Sequence, residues 1–160
     1  MGIDPGLNGG IAFLGDGLLT FPMPTKKRAN GKTEIDAKAL FRIIRPYHQK
    51  IKIAAIEKVH SMPGQGVAST FSFGQGYGAA LAVLEIFGFP TMRLSPAVWK
   101  SALNLNRDKR ASLAMARNLW PSNSEDFKRL KDDGRAEAAL MAYFVSRSLR
   151  TAKQTISKAF

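Results

Sequence analysis

"MGIDPGLNGGIAFL" (1–14) is the stretch whose reading decides the fold. Asp4-Pro5-Gly6 and Asn8-Gly9-Gly10 carry turn chemistry. The apolar run Ile11-Ala12-Phe13-Leu14 that follows reads as a short buried strand. The stretch therefore predicts a strand end, a turn and a returning strand, with Asp4 at the tip of the first strand. A carboxylate in that place is either solvated or employed, and its partners decide which. Few residues precede Asp4, so the first strand is expected to be short at its start.

Working outward, 9–15 and 17–24 read as two strands joined at Gly15-Asp16-Gly17, a hairpin. "TKKRANGK" (25–32) reads as a basic, glycine-containing loop. From Glu34 to Gln49, the residues Ile35, Leu40, Ile43, Ile44 and Tyr47 recur at helical spacing, which predicts a helix lying on a sheet. "IKIAAIEKV" (51–59) is β-branched and ends in a charge, like a central strand buried on both faces. "HSMPGQGVAS" (60–69) is a loop by composition, followed by a helix to about Phe87. In that helix Gly74, Gly78 and Ala82 recur every four residues. Glycine there costs helix stability, and the expected return is close approach of another backbone. Residues 90–94 form a further strand. "SPAVWKSAL" (95–103) starts a helix capped by Ser95 with Pro96 in its first turn. A helix at 108–119, a loop at "WPSNSEDFKRLK" and a last helix from Asp133 to Arg150 complete the chain. Strands and helices alternating after an initial hairpin predict an α/β domain, a mixed central β-sheet flanked by α-helices.

At 160 residues the chain is one domain on size grounds, expected over 1–150 with a basic C-terminal tail at 151–160. It has no cysteine, which excludes a disulfide framework and a zinc-thiolate site. Two histidines, His48 and His60, are too few for a histidine cage. A metal would be held by oxygen, which suits hard cations such as magnesium. No apolar run is long enough to cross a bilayer and no secretory leader is visible, so a soluble, cytoplasmic protein is expected. Lys and Arg number 24 against 12 Asp and Glu, a formal charge of +12, which fits a phosphate-rich partner. The cations cluster at Lys26-Lys27-Arg28 with Lys32, at Arg107 with Lys109-Arg110, at Lys128-Arg129 with Lys131, and at Arg147, Arg150, Lys153 and Lys158. Nucleic acid is the expected partner. A membrane surface is not, since no long helix pairs a basic face with a bulky apolar one.

Four of the carboxylates fall where surface residues are not expected. Asp4 and Glu57 end strands. Asp133 and Glu137 are one helical turn apart and share a face, and the same stripe continues through Leu140, Met141 and Phe144, so both lie on the buried side. Carboxylates gathered without cations repel and raise one another's pKa, a cost that a divalent cation removes. Acids from two strand ends and one helix start suit a pair of magnesium ions about 4 Å apart. Each also has an ordinary reading: Asp133 as a helix cap, Glu137 paired with Arg135 or a lysine, Glu57 with Lys58. Asp132 is a further candidate, but it projects about a third of a turn from Asp133.

"GIDPG" (2–6), "IEKVHSMPGQGVASTFSFGQGYG" (56–78) and "KDDGRAEAALMAYF" (131–144), in this order and spacing, resemble the RuvC-type Holliday junction resolvases, particularly the branch of bacteriophages and prophages. The resemblance runs from Gly2 to about Val145. It implies an RNase H-like fold, a homodimer, and cutting of four-way or branched DNA with Mg2+ or Mn2+, two ions per active site. It further implies that Asp4 is the first-strand metal ligand, Glu57 the ligand closing the fourth strand, and Glu137 the acid ahead of the alanine-rich part of the last helix. Bacterial relatives space their two helix acids three apart. Here Asp133 and Glu137 are four apart and glycine holds the aligned position, so Asp133 is taken as the fourth ligand. Lys100 matches a catalytic basic position near the scissile phosphate, an exposed helix lysine being the alternative, and Trp99 beside it is expected in the core. The loop after Glu57 corresponds to the element that enters the junction centre, with His60 or Met62 as a wedge between bases and Gln65 at a base edge. Phe71, Phe73 and Tyr77 are expected in the core or an interface. Lys26, Lys27, Arg28, Lys109, Arg110 and Lys131 are the expected backbone contacts. The helix bearing Gly74, Gly78 and Ala82 is implied in the dimer contact, because two cuts need two sites related by a dyad; the alternative is that its glycines let it lie on its own sheet. A nucleoid-associated, phage- or prophage-encoded protein is the implied setting. Three rivals stand beside this reading: a junction-binding protein without cleavage, a less selective branched-DNA nuclease, and an actin-like phosphotransferase, which would need two lobes and more phosphate loops than the chain can supply.

Overall fold

The computed structural model describes residues 1–59, 64 and 66–158. In chain order it runs β1 (Gly2–Asp4), β2 (Gly10–Leu14), β3 (Leu18–Pro22), β4 (Thr25–Lys27), β5 (Thr33–Ile35), α1 (Ala37–Ile44) with a 3-10 turn at Arg45–Lys50, and β6 (Ala54–Glu57). Then come α2 (Val67–Ile86), β7 (Thr91–Leu94), α3 (Pro96–Ala102), α4 (Lys109–Leu119), 3-10 turns at Pro121–Phe127 and Leu130–Asp132, and α5 (Asp133–Lys158). The central sheet has the order β3-β2-β1-β6-β7. Its first three strands are antiparallel neighbours, and β6 and β7 add in parallel to β1. The mixed sheet flanked by helices is the expected architecture.

Strand alternation divides the core into two layers. Ile3, Ile11, Phe13, Ala54 and Ile56 point toward α1 and α2, where Leu40, Ile44, Val83 and Leu84 cover them. The opposite face carries small residues, Ala12 and Ala55, against α4, α5 and Trp99. Small residues on both sides bring α5 unusually near the sheet. A Cβ on Gly2 would fall on the carbonyl of Ala138, and one on Gly134 would fall on Asn8 and Gly9. Gly9 and Gly134 in fact form a bridge between the β1–β2 turn and the first turn of α5.

Two expectations are corrected, and one alternative is excluded. The segment 25–35, expected as a loop running into a helix at Glu34, is a separate two-stranded hairpin of β4 and β5. Lys26 pairs across with Glu34 and Lys27 with Thr33, and Gly31 closes the turn at φ 77°. Asp36 accepts from the Ala39 N–H at 3.0 Å, an N-cap that delays the helix to Ala37. The segment expected as a loop after Trp120 is mostly 3-10 turn, and α5 runs past Arg150 without a break to Lys158. The excluded alternative concerns the stripe on α2. Gly74, Gly78 and Ala82 face outward, and no atom lies within 4 Å of a Cβ built on either glycine, so they do not seat the helix on its own sheet. Gly76 makes the inward contact instead, against Ile35. Tyr77 packs on the core, while Phe71 is 66% exposed.

Candidate active site

The pleat places the first two acids. Gly2 and Asp4 share the face of β1 turned to α5, and Ala55 and Glu57 share the same face of β6. The parallel register pairs Gly2 with Ala55 and Ile3 with Ile56, so Asp4 and Glu57 are the next step along, side by side at the carboxyl ends of adjacent strands. The glycine and alanine one pleat back leave room for α5, whose first turn therefore meets the two acids. That turn carries Asp133 and Glu137, each only 9% exposed. Although Glu57 ends the sixth strand of the chain, it ends the fourth strand of the central sheet, as expected.

A protein donor holds one oxygen of each carboxylate. Asp4 Oδ1 accepts the Gly6 N–H at 3.0 Å, and Glu57 Oε1 accepts the Trp99 indole N–H at 3.2 Å. Glu137 Oε1 accepts from Lys100 Nζ at 2.6 Å and from Ser112 Oγ at 3.2 Å. Asp133 Oδ2 lies 2.6 Å from Lys109 Nζ. Burial, followed by the charge of Glu57, pushes Asp4 up to about 7, with Glu137 and Asp133 adding to the rise. Burial and then Glu137 raise Glu57 as well. Asp4 thus feels all three other acids, and Glu57 feels Glu137. Four carboxylates face two ammonium groups, an excess of negative charge open to cations.

Asp132 belongs elsewhere. It accepts from the Arg129 backbone at 2.8 Å, from the Arg129 guanidinium at 3.1 and 2.9 Å, and from Arg135 at 2.9 Å. Its carboxyl is held down at about 2, chiefly by the Arg129 side chain. Arg135 also meets Asp126 at 3.3 Å, and Asp126 accepts from Thr20 of β3 at 2.9 Å. This network fixes the start of α5 against the edge strand, and it is Asp133 that the fold turns toward Asp4.

Three residues of the site carried no such role in the sequence reading. Trp99 is buried as expected, yet its N–H serves Glu57, since a buried indole finds a partner. Lys109, grouped with the backbone-contact cations, reaches Asp133. Ser112, buried against Glu137, is the third. Lys109 and Ser112 are i and i+3 on a helix whose cap, Asp108, accepts from the Arg110 N–H, so a shared face was the available signal. Lys100 is not an exposed helix lysine: its side chain is 15% exposed and bound to Glu137.

The remaining predicted contacts are more dispersed. Lys26 lies 3.4 Å from Glu34, Arg28 is bonded to the same carboxylate and to Gln75 of α2, and Lys27 donates to Thr33. The hairpin is thereby tied to α2. Between them and the β1–β2 turn lies a groove of about 230 Å³ lined by Pro5, Leu7, Thr33, Ser72, Phe73 and Gly76. Arg110 and Lys131 are exposed. His60, Met62 and Gln65 lie outside the described residues. Among the described residues no three acidic or histidine side chains, as they stand, are arranged to hold a metal ion together, and no helix is long and apolar enough to cross a membrane.

No family model matches the chain, and no curated protein matches it. Solved structures do. The chain superposes on RuvC of T. thermophilus in complex with a Holliday junction substrate with a TM-score of 0.59, at 20% identity, covering 92% of this chain and 93% of that one. A second structure of Thermus thermophilus RuvC gives a TM-score of 0.53 at 22% identity, with 92% and 94% covered. The mixed five-stranded sheet with its flanking helices is therefore the RuvC-like, RNase H-like fold.

Proposed function

We propose that this protein is a structure-selective endodeoxyribonuclease that resolves four-way DNA junctions by paired, metal-dependent phosphodiester hydrolysis. The observation that carries the reading is that Asp4 feels the charges of Glu57, Asp133 and Glu137, acids from three separate elements gathered at the carboxyl ends of two neighbouring inner strands, in a chain of charge +12. The similarity to a RuvC structure that holds a Holliday junction supports the choice of substrate. The three motifs in their order suggest the phage and prophage branch, acting in the cytoplasm at the nucleoid.

The donor set fits two Mg2+ or Mn2+ ions. All four ligands are oxygen acids, as hard cations require. One oxygen of each is anchored by the protein, and the other has no donor among the described residues. When bound, such ions activate the attacking water and stabilise the departing 3′-oxygen. The protein's own residues supply the rest. Gly6, Trp99 and Ser112 fix the orientations of the acids. Lys100, held beside Glu137, offers a positive charge to the phosphate. Lys26, Lys27 and Arg28 on the hairpin, with Lys109, Arg110 and Lys131, bind the DNA backbone, while His60, Met62 and Gln65 act at the junction centre. The second active site comes from a second copy. The outward face of α2, where Val67, Phe71 and Ile86 are 87%, 66% and 71% exposed around Gly74, Gly78 and Ala82, supports a homodimer through that helix.

The test is incubation of an end-labelled four-way junction with Mg2+, beside linear and forked duplexes. Symmetric paired nicks that disappear in Asp4→Asn, with binding retained, are expected. Binding without nicking by the unaltered protein would leave only a junction-binding module. Equal cutting of forks would indicate the less selective nuclease.

A further inference from the structure

Two lysines hold two of the proposed ligands, and they do so in different ways. Lys100 is enclosed: its ammonium lies 2.6 Å from Glu137 and over the Trp99 ring at 5.2 Å, with only 15% of the side chain exposed. Lys109 comes from solvent. Its side chain is 61% exposed while that of Asp133 is 13% exposed. It also occupies the first position of α4, where the positive end of the helix dipole disfavours a cation. Asp133 holds its ammonium in the site.

We infer that Lys109 is a displaceable counter-cation, which occupies Asp133 when the site holds no divalent ion and is released to a DNA phosphate when one binds. This rests on the metal-dependent reading above. A carboxylate oxygen that accepts from an ammonium at 2.6 Å has to give up that bond to ligate an ion. An ion pair so open to water is weak, so a dication drawn by four carboxylates wins the exchange. The freed ammonium then stands beside Arg107 and Arg110, both exposed, as a phosphate-binding group. The exchange runs both ways. A phosphodiester that takes Lys109 frees Asp133, so metal and DNA each tighten the other's binding by the same factor. Lys100, held on two sides, stays in place.

The test is Mn2+ affinity by titration calorimetry without DNA, in the unaltered protein and in Lys109→Met, Lys109→Arg and Arg110→Gln. Loss of the competing ammonium should tighten Mn2+ binding in Lys109→Met by roughly two- to fivefold, the strength of an exposed pair. Lys109→Arg should stay near the original value, and Arg110→Gln should tighten less than Lys109→Met. With a slowly cleaved phosphorothioate junction present, Mn2+ affinity should rise in the unaltered protein and rise less in Lys109→Met. Unchanged or weaker Mn2+ binding in Lys109→Met overturns the inference, as does an equal gain in Arg110→Gln, which would reduce the effect to net charge. If the unaltered protein neither binds Mn2+ nor nicks junctions, the nuclease reading falls as well. Nicking and Mn2+ binding with no change in Lys109→Met removes the inference alone.

Discussion

Replacing Asp4 by Asn should make the metal-free protein more stable, and the pH dependence of that gain identifies its source. In the folded protein Asp4 titrates at about 7, against an ordinary 3.8. Below pH 3.8 the group is protonated in both states and costs nothing. Between about 4 and 7 the unfolded chain has released the proton while the folded chain retains it, so stability falls as pH rises. Above 7 the full cost is present. A rise of three pKa units corresponds to about 4 kcal/mol, and because the side chain is partly open to solvent we expect about 2–4 kcal/mol. The amide keeps an oxygen for the Gly6 N–H and removes the charge that opposes Glu57, Glu137 and Asp133. The Asp4→Asn protein in EDTA at pH 8 should therefore melt roughly 4–16 °C higher than the parent. The gain should shrink toward zero near pH 4. Added Mg2+ should raise the melting temperature of the parent more than that of the variant, because only the parent retains the full ligand set. Thermal and urea unfolding at pH 4.5, 6 and 8, with EDTA or Mg2+, measure each of these shifts. An Asp4→Asn variant no more stable at pH 8, or a gain independent of pH, would refute a strained carboxylate cluster.

Four further outcomes follow from the same geometry. Asp132→Asn should destabilise by about 3 kcal/mol, since it removes a buried charge that Arg129 and Arg135 both meet and leaves Arg135 only its longer contact to Asp126; its carboxyl, held at about 2, contributes stability above about pH 4 that is lost as pH falls toward 2, and urea unfolding across that range reads both effects. Gly134→Ala should lose stability despite alanine's better helix propensity, because its Cβ meets the backbone of Asn8 and Gly9; Gly74→Ala should gain up to about 1 kcal/mol in the monomer, with any loss confined to self-association measured by sedimentation. Lys100→Met should lower single-turnover nicking at saturating junction by roughly a hundredfold, the usual cost of one lost electrostatic contact to developing charge, with little change in junction affinity.

The sequence made the acids legible because their positions obey the two simple periodicities. Asp4 and Glu57 end short apolar strands, and Asp133 and Glu137 are a helical turn apart on an apolar stripe. The hairpin of β4 and β5 obeys neither. Its strands are three residues long and polar, and it is stabilised by Lys26 and Arg28 on Glu34, contacts that composition reads as an exposed loop, while Asp36 caps the helix that begins after it. The carboxylate partners of the site's lysines were hidden for a different reason. Lys100 finds Glu137 at a distance of 37 residues along the chain, and Lys109 finds Asp133 on a different helix. A lysine on a helix gives no local sign of whether it faces water or a carboxylate.

The glycines show how far a local reading reaches, and what sets the geometry of the site. Gly9 and Gly10 read as turn residues and Gly74 and Gly78 as a contact stripe, yet within the chain the roles are exchanged. Gly2, Gly9, Gly10 and Gly134 are where backbones press together, and Gly74 and Gly78 meet nothing. Close approach is a property of two segments distant in sequence, so neither segment announces it alone. Its consequence is chemical. With Gly2 and Ala55 one pleat behind Asp4 and Glu57, and Ala138 and Ala142 facing Gly2 from α5, the helix comes down far enough for Asp133 and Glu137 to meet the strand acids. A larger side chain at any of these contacts would lift α5 and separate the carboxylates before altering one of them. The small residues therefore determine the spacing of the site as much as the acids determine its charge.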